Sequence, residues 1–174
     1  LDLDLRWRVL RRLAVLGATD VAELDAEVDR ERTSHAVVSR VAARAAIPTS
    51  EAKAWAWQLF TGEREGSNYE VEAAGVAFWQ HDQGELLASY ADRYLADLPA
   101  TAERRTGWML ADAARAFFPR TWWSDVTFEG VRALAARDDL ASGLRRVLLD
   151  CADDLARNLA VRRAHGADHT GVPA

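Results

Sequence analysis

Apolar residues recur every three or four positions along almost the whole chain, which is the spacing of an amphipathic α-helix. Capping residues, glycines and prolines divide this pattern into nine segments, and no segment reads convincingly as a β-strand. The predicted helices cover residues 4–16, 20–30, 33–46, 50–61, 67–78, 82–98, 101–118, 124–136 and 139–164. The pattern therefore predicts an all-α protein.

Local signals mark where these helices begin and end. Three predicted helices start with the spacing of a capping box, in which a short polar side chain and a glutamate three residues later each accept a backbone N–H. The pairs are Asp20 with Glu23, Ser67 with Glu70, and Asp82 with Glu85. Single caps are predicted for three further helices, at Thr33, at Thr49 or Ser50, and at Ser124. The expected stops are Gly17, Pro48, Gly62, Pro99, Pro119 and Gly166.

The helices are joined by short turns, which favours antiparallel packing of consecutive helices. We therefore predict an irregular α-solenoid of antiparallel helix pairs, HEAT- or armadillo-like, with a closed helical bundle as the alternative. Residues 1–164 are expected to form one helical domain and residues 165–174 a flexible polar tail. In the first helix, Leu5, Val9, Leu13 and Leu16 lie on one face.

Composition limits the possible partners. The net charge is −5 and basic residues are mixed with acidic ones, so no positive face for nucleic acid is expected. No apolar run approaches the 18 or so residues of a membrane span. Cys151 is the single cysteine, which excludes an internal disulfide, favours a cytoplasmic location and predicts that this thiol packs rather than reacts. The direct start at Leu1 in a helical pattern suggests a piece of a longer protein.

Candidate chemistry is sparse. No pair of histidines with an intervening glutamate forms a zinc-protease helix, and no phosphate loop or nucleophile elbow occurs. His165 and His169 have ligand spacing but lie among glycines in the predicted tail, and His81 with Glu85 is better explained as a cap or surface pair. We therefore predict no catalytic residue and no metal ligand in this chain.

Seven tryptophans are the most unusual feature of the composition. A buried indole removes a large apolar area from water and needs a partner for its N–H, so core packing is the first interpretation. The alternative concerns the segment F-F-P-R-T-W-W at residues 117–123. Trp122 and Trp123 in this segment could instead dock onto another domain.

Several segments, taken in order, resemble the C-terminal helical region of actinobacterial-type aminopeptidase N, a zinc metallopeptidase family. They are D-L-R-W (4–7), E-V-D-R-E-R-T (27–33), R-A-A-I-P-T-S-E-A-K-A-W (44–55), Q-G-E-L-L-A-S-Y (83–90), F-F-P (117–119) and L-R-R-V-L-L-D-C-A-D-D-L-A-R-N-L (144–159). Three positions depart from the family pattern: Ser89 stands where a proline is usual, Cys151 where an acidic residue is usual, and the segment 75–78 where a glycine–phenylalanine pair is usual.

The resemblance implies a non-catalytic C-terminal domain, similar to that of the endoplasmic-reticulum aminopeptidases. The parent enzyme, of alanyl or lysyl aminopeptidase type, would hold zinc in an upstream catalytic domain, so no cofactor is expected in this chain. The domain would cover the active-site chamber and restrict or bind the peptide substrate. The polar residues at matched positions that could face peptide are Arg6, Glu27, Lys53, Asn68, Gln83 and Tyr90. For each of them a structural role, in a cap or a buried polar pair, is the competing interpretation.

Two other functions stay open on the sequence. One is a stand-alone HEAT-like module that binds a protein partner. The other is the ligand-binding helical domain of a bacterial regulator, although the negative charge and the lack of a DNA-reading helix argue against it.

Overall fold

The computed structural model describes residues 2–165, and over this range the protein is all-helical. Nine α-helices are present in the described part, which confirms the predicted fold class. They are α1 (Leu3–Val15), α2 (Val21–Glu31), α3 (Ser34–Ala46), α4 (Ser50–Thr61), α5 (Asn68–Phe78), α6 (Gly84–Asp97), α7 (Gly107–Ala116), α8 (Asp125–Ala135) and α9 (Ser142–Ala164). Two 3₁₀-helices, His81–Gln83 and Leu98–Glu103, flank α6. The predicted tail falls on residues 165–174, of which all but His165 lie outside the described residues.

Most of the predicted helix caps form. The side chains of Thr33, Thr49 and Ser124 accept the backbone N–H three residues later, at the starts of α3, α4 and α8. At α5 the capping box is complete: the Ser67 hydroxyl accepts the N–H of Glu70 at 3.3 Å, and the Glu70 carboxylate accepts the N–H of Ser67 at 2.8 Å. These donors are otherwise left unsatisfied at a helix start, so each cap fixes a boundary.

Two predicted capping boxes do not form. Asp20 accepts the N–H of Glu23, but the Glu23 carboxylate accepts the hydroxyl of Thr19 instead of returning to Asp20. The second pair, Asp82 with Glu85, is separated by a change of helix type, because residues 81–83 form a 3₁₀ turn before α6. Both predictions were therefore wrong as complete boxes.

The seventh and ninth helices begin later than predicted. Pro99 opens a 3₁₀-helix, and the hydroxyl of Thr101 donates to the carbonyl of Leu98 at 2.7 Å within it. The predicted helix 101–118 is thus a 3₁₀ segment followed by α7, which starts only at Gly107. Similarly, α9 starts at Ser142 and not at residue 139. In both places a local hydrogen-bonded turn competes successfully with the α-helix.

The described chain divides into two compact units, the first ending at Gln80 and the second beginning at His81. In the first unit α3 is central and packs against α1, α2, α4 and α5. Alternate helices α1, α3 and α5 lie side by side. Such packing of each helix on the next but one is typical of an α-solenoid. In the second unit α9 packs against both α7 and α8, and α6 packs against α8.

Aromatic side chains fill the core of the first unit. Trp57 is 1% exposed, and its ring lies 4.9 Å from that of Phe60 and 5.5 Å from that of Phe78, measured between centroids. Trp79 continues the cluster, with its ring 5.2 Å from Phe78 in an edge-to-face arrangement. Trp7 and Trp55 are also buried. Four of the seven tryptophans thus pack in the interior of this unit, as the core-packing interpretation predicted.

The second unit is organised around a buried tyrosine. The Tyr94 hydroxyl donates to the carbonyl of Ala114 at 2.8 Å, and its ring lies edge-to-face on Phe118, 5.7 Å away between centroids. Burial raises the pKa of Tyr94 well above its ordinary value. The apolar stripe of α9, from Leu144 through Leu159, packs inward and includes Cys151.

The four apolar residues that share one face of α1 do not form its buried side. Leu5, Val9 and Leu16 are exposed and Leu13 is half-buried. The buried residues of α1 are Trp7, Leu10 and Ala14, on the opposite side of the helix. The orientation of α1 in this unit follows from Trp7. The large ring of Trp7 packs towards α3, and its indole N–H donates to Glu31 at 2.7 Å.

Cys151 provides a first testable prediction. Burial raises the pKa of its thiol to about 11 from an ordinary value of 9.0. Because only the thiolate attacks a disulfide reagent, we expect the folded chain at about pH 8 to react about 100-fold more slowly than the unfolded chain. Thiol release from an aromatic disulfide, followed with and without denaturant, measures this ratio. Equal rates in the two states would show that Cys151 is accessible.

Candidate functional site

Two of the predicted peptide-facing residues meet in the first unit. Arg6 on α1 forms an ion pair with Glu27 on α2, with 3.2 Å between Nε and Oε1. Arg30 on α2 also binds the Glu27 carboxylate. The Glu27 side chain is 11% exposed and that of Arg6 37%, so the pair lies at the surface with its acidic member largely covered. It connects the first two helices of the unit.

Lys53 lies in the interior of the same unit and is completely buried. Its Nζ donates to the carbonyl of Ala45 at 2.8 Å and to the carbonyl of Phe78 at 2.9 Å. Both carbonyls belong to the last turn of a helix, α3 and α5 respectively, where backbone acceptors lack an intrahelical donor and the helix dipole is negative. Lys53 therefore joins two helix ends in the core, the structural interpretation considered for it.

The charge on Lys53 is costly in this position. Removal of the ammonium from water lowers its pKa to about 7 from an ordinary value of 10.5. The ring of Phe78 lies 5.1 Å from Nζ between the nitrogen and the centroid, so an aromatic face supplements the two carbonyls.

The remaining predicted peptide-facing residues have separate environments. Asn68 is half-buried at the first position of α5, next to the Ser67 cap. In the second unit, Gln83 is buried at the end of a 3₁₀ turn. Tyr90 on α6 is buried with the guanidinium of Arg93 4.9 Å from its ring centroid, and burial raises the pKa of its hydroxyl.

Trp122 and Trp123, the predicted docking residues, are half-buried in the second unit. The indole N–H of Trp123 donates to the carbonyl of Arg120 at 2.6 Å. Arg162 on α9 donates to the Trp123 carbonyl at 2.6 Å and holds its guanidinium 5.5 Å from the ring centroid. The ring of His81 completes the environment, 6.4 Å away between centroids. Trp123 is thus fixed within its own unit, with part of its surface open.

Sequence reasoning did not find a groove between α1 and α3. It has a volume of about 310 Å³, and Trp7 and Ala42 contribute its apolar part. Its polar lining consists of Asp4, Arg8, Arg11, His35 and Ser39. These residues come from two helices about 30 positions apart, and no short motif connects them. Asp4 and Trp7 belong to the D-L-R-W segment noted in the sequence, and they were its only indication of this groove.

Glu31 is an acceptor for several donors near this groove. The hydroxyl of Thr33 and the indole N–H of Trp7 each donate to its carboxylate at 2.7 Å. His35 lies 3.6 Å from the same carboxylate. The Thr33 hydrogen bond, followed by that of Trp7, lowers the pKa of Glu31. This network holds the end of α2 against α1 and the start of α3.

No group of three or more histidine, cysteine or carboxylate side chains within residues 2–165 is arranged to hold a metal ion. Of the two histidines with ligand spacing in the sequence, His169 lies outside the described residues. In the described part, no helix combines the length and apolarity needed to cross a bilayer.

Two comparisons with known proteins bear on the family of this chain. The sequence model of the ERAP1-like C-terminal domain matches residues 1–157. Aminopeptidase N from Streptomyces lividans is 32% identical to this chain over 166 residues. That alignment covers 95% of this chain but 19% of the relative, so the chain spans about a fifth of the protein that it resembles. The extent of the family match shows that this helical chain belongs to the ERAP1-like C-terminal domain family.

Proposed function

We propose that this chain is the non-catalytic C-terminal domain of a larger zinc-dependent aminopeptidase, of alanyl or lysyl aminopeptidase type, located in the cytoplasm. The observation that supports it most is the alignment, which includes nearly all of this chain and a fifth of an aminopeptidase N. The described residues contain no metal cluster, so zinc and the catalytic groups would reside in the preceding part of the polypeptide.

In this proposal the domain covers the active-site chamber and limits which peptides enter it. An α-solenoid suits that role, because stacked helices present an extended surface with little rearrangement of the backbone. The Arg6–Glu27 pair offers both charge signs at the surface of the first unit. An aminopeptidase holds the amino end of its substrate at the catalytic centre, so the carboxylate at the far end of a long peptide is the group that would suit contact with Arg6. Lys53, with both hydrogen bonds directed to helix ends, would instead maintain the shape of the surface.

The full polypeptide encoded with this chain tests the proposal. We expect it to contain stoichiometric zinc and to hydrolyse alanyl or lysyl anilides, with activity lost to a chelator and restored by zinc. The 174-residue chain alone should show no turnover. A zinc-free full polypeptide without peptidase activity would contradict the assignment to an aminopeptidase.

The chamber role needs a separate measurement. In the full polypeptide, Arg6→Gln with Glu27→Gln should change kcat/KM severalfold for long peptides and leave the anilide kinetics unchanged, because only a long substrate reaches beyond the catalytic centre. A matched control is Arg137→Gln with Asp139→Asn, which removes an exposed ion pair of the second unit. If both double variants keep wild-type kinetics on long peptides, the first pair has no role in substrate binding.

A further inference from the structure

Two arginine side chains meet at the ring of Trp55 in the first unit. Trp55 on α4 is buried. The guanidinium carbon of Arg44, in the last turn of α3, lies 4.1 Å from the centroid of this ring. The guanidinium carbon of Arg64, in the turn after α4, lies 6.0 Å from the same centroid. An indole face attracts a guanidinium at such distances without using its N–H donors. The fold thus brings two positive charges together with their donors still available.

The hydrogen-bonding capacity of these two side chains is largely unused. Arg44 is half-buried and makes no hydrogen bond or ion pair with any residue in the range 2–165, and its Nε is buried without an acceptor. Arg64 is exposed and donates only to an uncharged amide, the Oε1 of Gln58, at 3.3 and 3.4 Å. Buried donors in native proteins are nearly always paired. An unpaired guanidinium here therefore indicates an acceptor from outside the chain.

The neighbouring charges leave this cluster positive. Arg40 lies one turn before Arg44 on α3, and its Nε donates to the carboxylate of Asp25 at 2.7 Å, so these two charges offset each other. Burial, followed by the positive charges of Arg40 and Arg64, lowers the pKa of Arg44, and Asp25 opposes this effect only weakly. Neither Arg44 nor Arg64 has a carboxylate partner in the described part of the chain, although the whole chain has a net charge of −5.

We propose that Arg44 and Arg64 form a binding site for a doubly charged oxyanion, either inorganic phosphate or the phosphate group of a larger molecule. Guanidinium groups bind phosphate oxygens through paired N–H donors, and such hydrogen bonds are strong because both partners are charged. A dianion matches the two uncompensated charges, whereas a single carboxylate would neutralise only one.

The position of the two arginines suits this role. The Trp55 ring orders Arg44 before the anion arrives, which reduces the entropy lost on binding. Arg64 projects from an exposed turn, so its side chain reaches the same anion without a change in the helices. The bound anion joins the end of α3 to the turn after α4. This site does not depend on the aminopeptidase assignment.

A titration of the 174-residue chain with inorganic phosphate tests the site. At about pH 7.5 a phosphate group is mainly doubly charged. Potassium chloride holds the ionic strength constant, so general screening does not contribute to the change. In proton–nitrogen NMR spectra, the indole N–H signal of Trp55 and the backbone amide signals of Arg44 and Arg64 should follow one saturating curve. Methyl phosphate distinguishes the two sources: binding at similar concentrations indicates the phosphate group of a larger molecule, and no binding indicates inorganic phosphate.

Single substitutions locate the bound anion. Arg44→Gln and Arg64→Gln should each weaken phosphate binding at least about tenfold, because each removes charge-assisted hydrogen bonds. Arg12→Gln is the matched control, since Arg12 is an exposed arginine of the same unit without an ion pair among the described residues. Its affinity should stay within about twofold of the wild type. Arg64→Gln changes only an exposed turn, so it remains a fair test even if Arg44→Gln loosens the packing on Trp55.

Four results would overturn the proposal. Signal shifts that never saturate would mean an adventitious ion only. Equal weakening by Arg12→Gln would show diffuse attraction to the whole surface. Unchanged affinity in both Arg44→Gln and Arg64→Gln would place the anion elsewhere. Acetate that binds as tightly as phosphate would show that the site does not select a dianion.

Discussion

Replacing Trp57 with alanine should lower the free energy of unfolding of the first unit by about 3–5 kcal/mol. The ring is 1% exposed and packs against both Phe60 and Phe78, so truncation loses its transfer from water and leaves a cavity among aromatic neighbours. Denaturant unfolding followed by far-UV circular dichroism measures the change. Hydrogen exchange of the α4 and α5 amides then assigns the loss to the first unit.

Trp108→Ala is the matched control for this variant. Trp108 is 62% exposed at the start of α7, so its removal should change stability by no more than about 0.5 kcal/mol. Similar losses in both variants would contradict the burial difference. A Trp57→Ala variant as stable as the wild type would mean that the aromatic cluster does not form the core of its unit.

The second large effect concerns Lys53 and pH. Between about pH 7 and pH 9, the free energy of unfolding of the first unit should rise by about 2 kcal/mol. In the folded state Lys53 has a pKa of about 7, whereas in the unfolded chain it has its ordinary value of 10.5. Between these values the unfolded chain holds more protons, so stability increases with pH. Below the folded value both states are charged, and the folded state bears the whole desolvation cost.

Deprotonation does not require either hydrogen bond of Lys53 to break. A neutral amine keeps two N–H groups, enough for the carbonyls of Ala45 and Phe78. Lys53→Met keeps an unbranched side chain, one atom shorter and without a titratable group, so the stability profile of the variant should be flatter than that of the wild type over this range. Parallel profiles would exclude Lys53 as the source. Above pH 9 the second unit contributes with the opposite sign, because burial raises the pKa of Cys151.

The helices were predictable because their signals are local. Thr33, Thr49, Ser67 and Ser124 lie within three residues of the N–H groups that they bind, and the sequence shows those spacings directly. The start of α7 was predicted wrongly for a related reason. The bond from the Thr101 hydroxyl to the Leu98 carbonyl stabilises a 3₁₀ turn, and helical periodicity alone does not distinguish that turn from the first turn of an α-helix.

The orientation of α1 and the role of Lys53 could not be predicted, because they depend on distant residues. Trp7 finds its hydrogen-bond partner at Glu31, 24 positions away, and no pattern within α1 contains that information. The two carbonyls that bind Lys53 lie 8 and 25 positions from it. The apolar residues that share one face of α1 are visible in the sequence, but the structure leaves most of that face exposed.

Lys53 is the only lysine of the chain, and it is completely buried. Acylating reagents that attack side-chain amines therefore have no target on the folded surface of the described part. They can modify position 53 only when α3, α4 and α5 separate and the neutral amine meets solvent. The rate of acylation at this one side chain thus reports how often the first unit opens, without any engineered label.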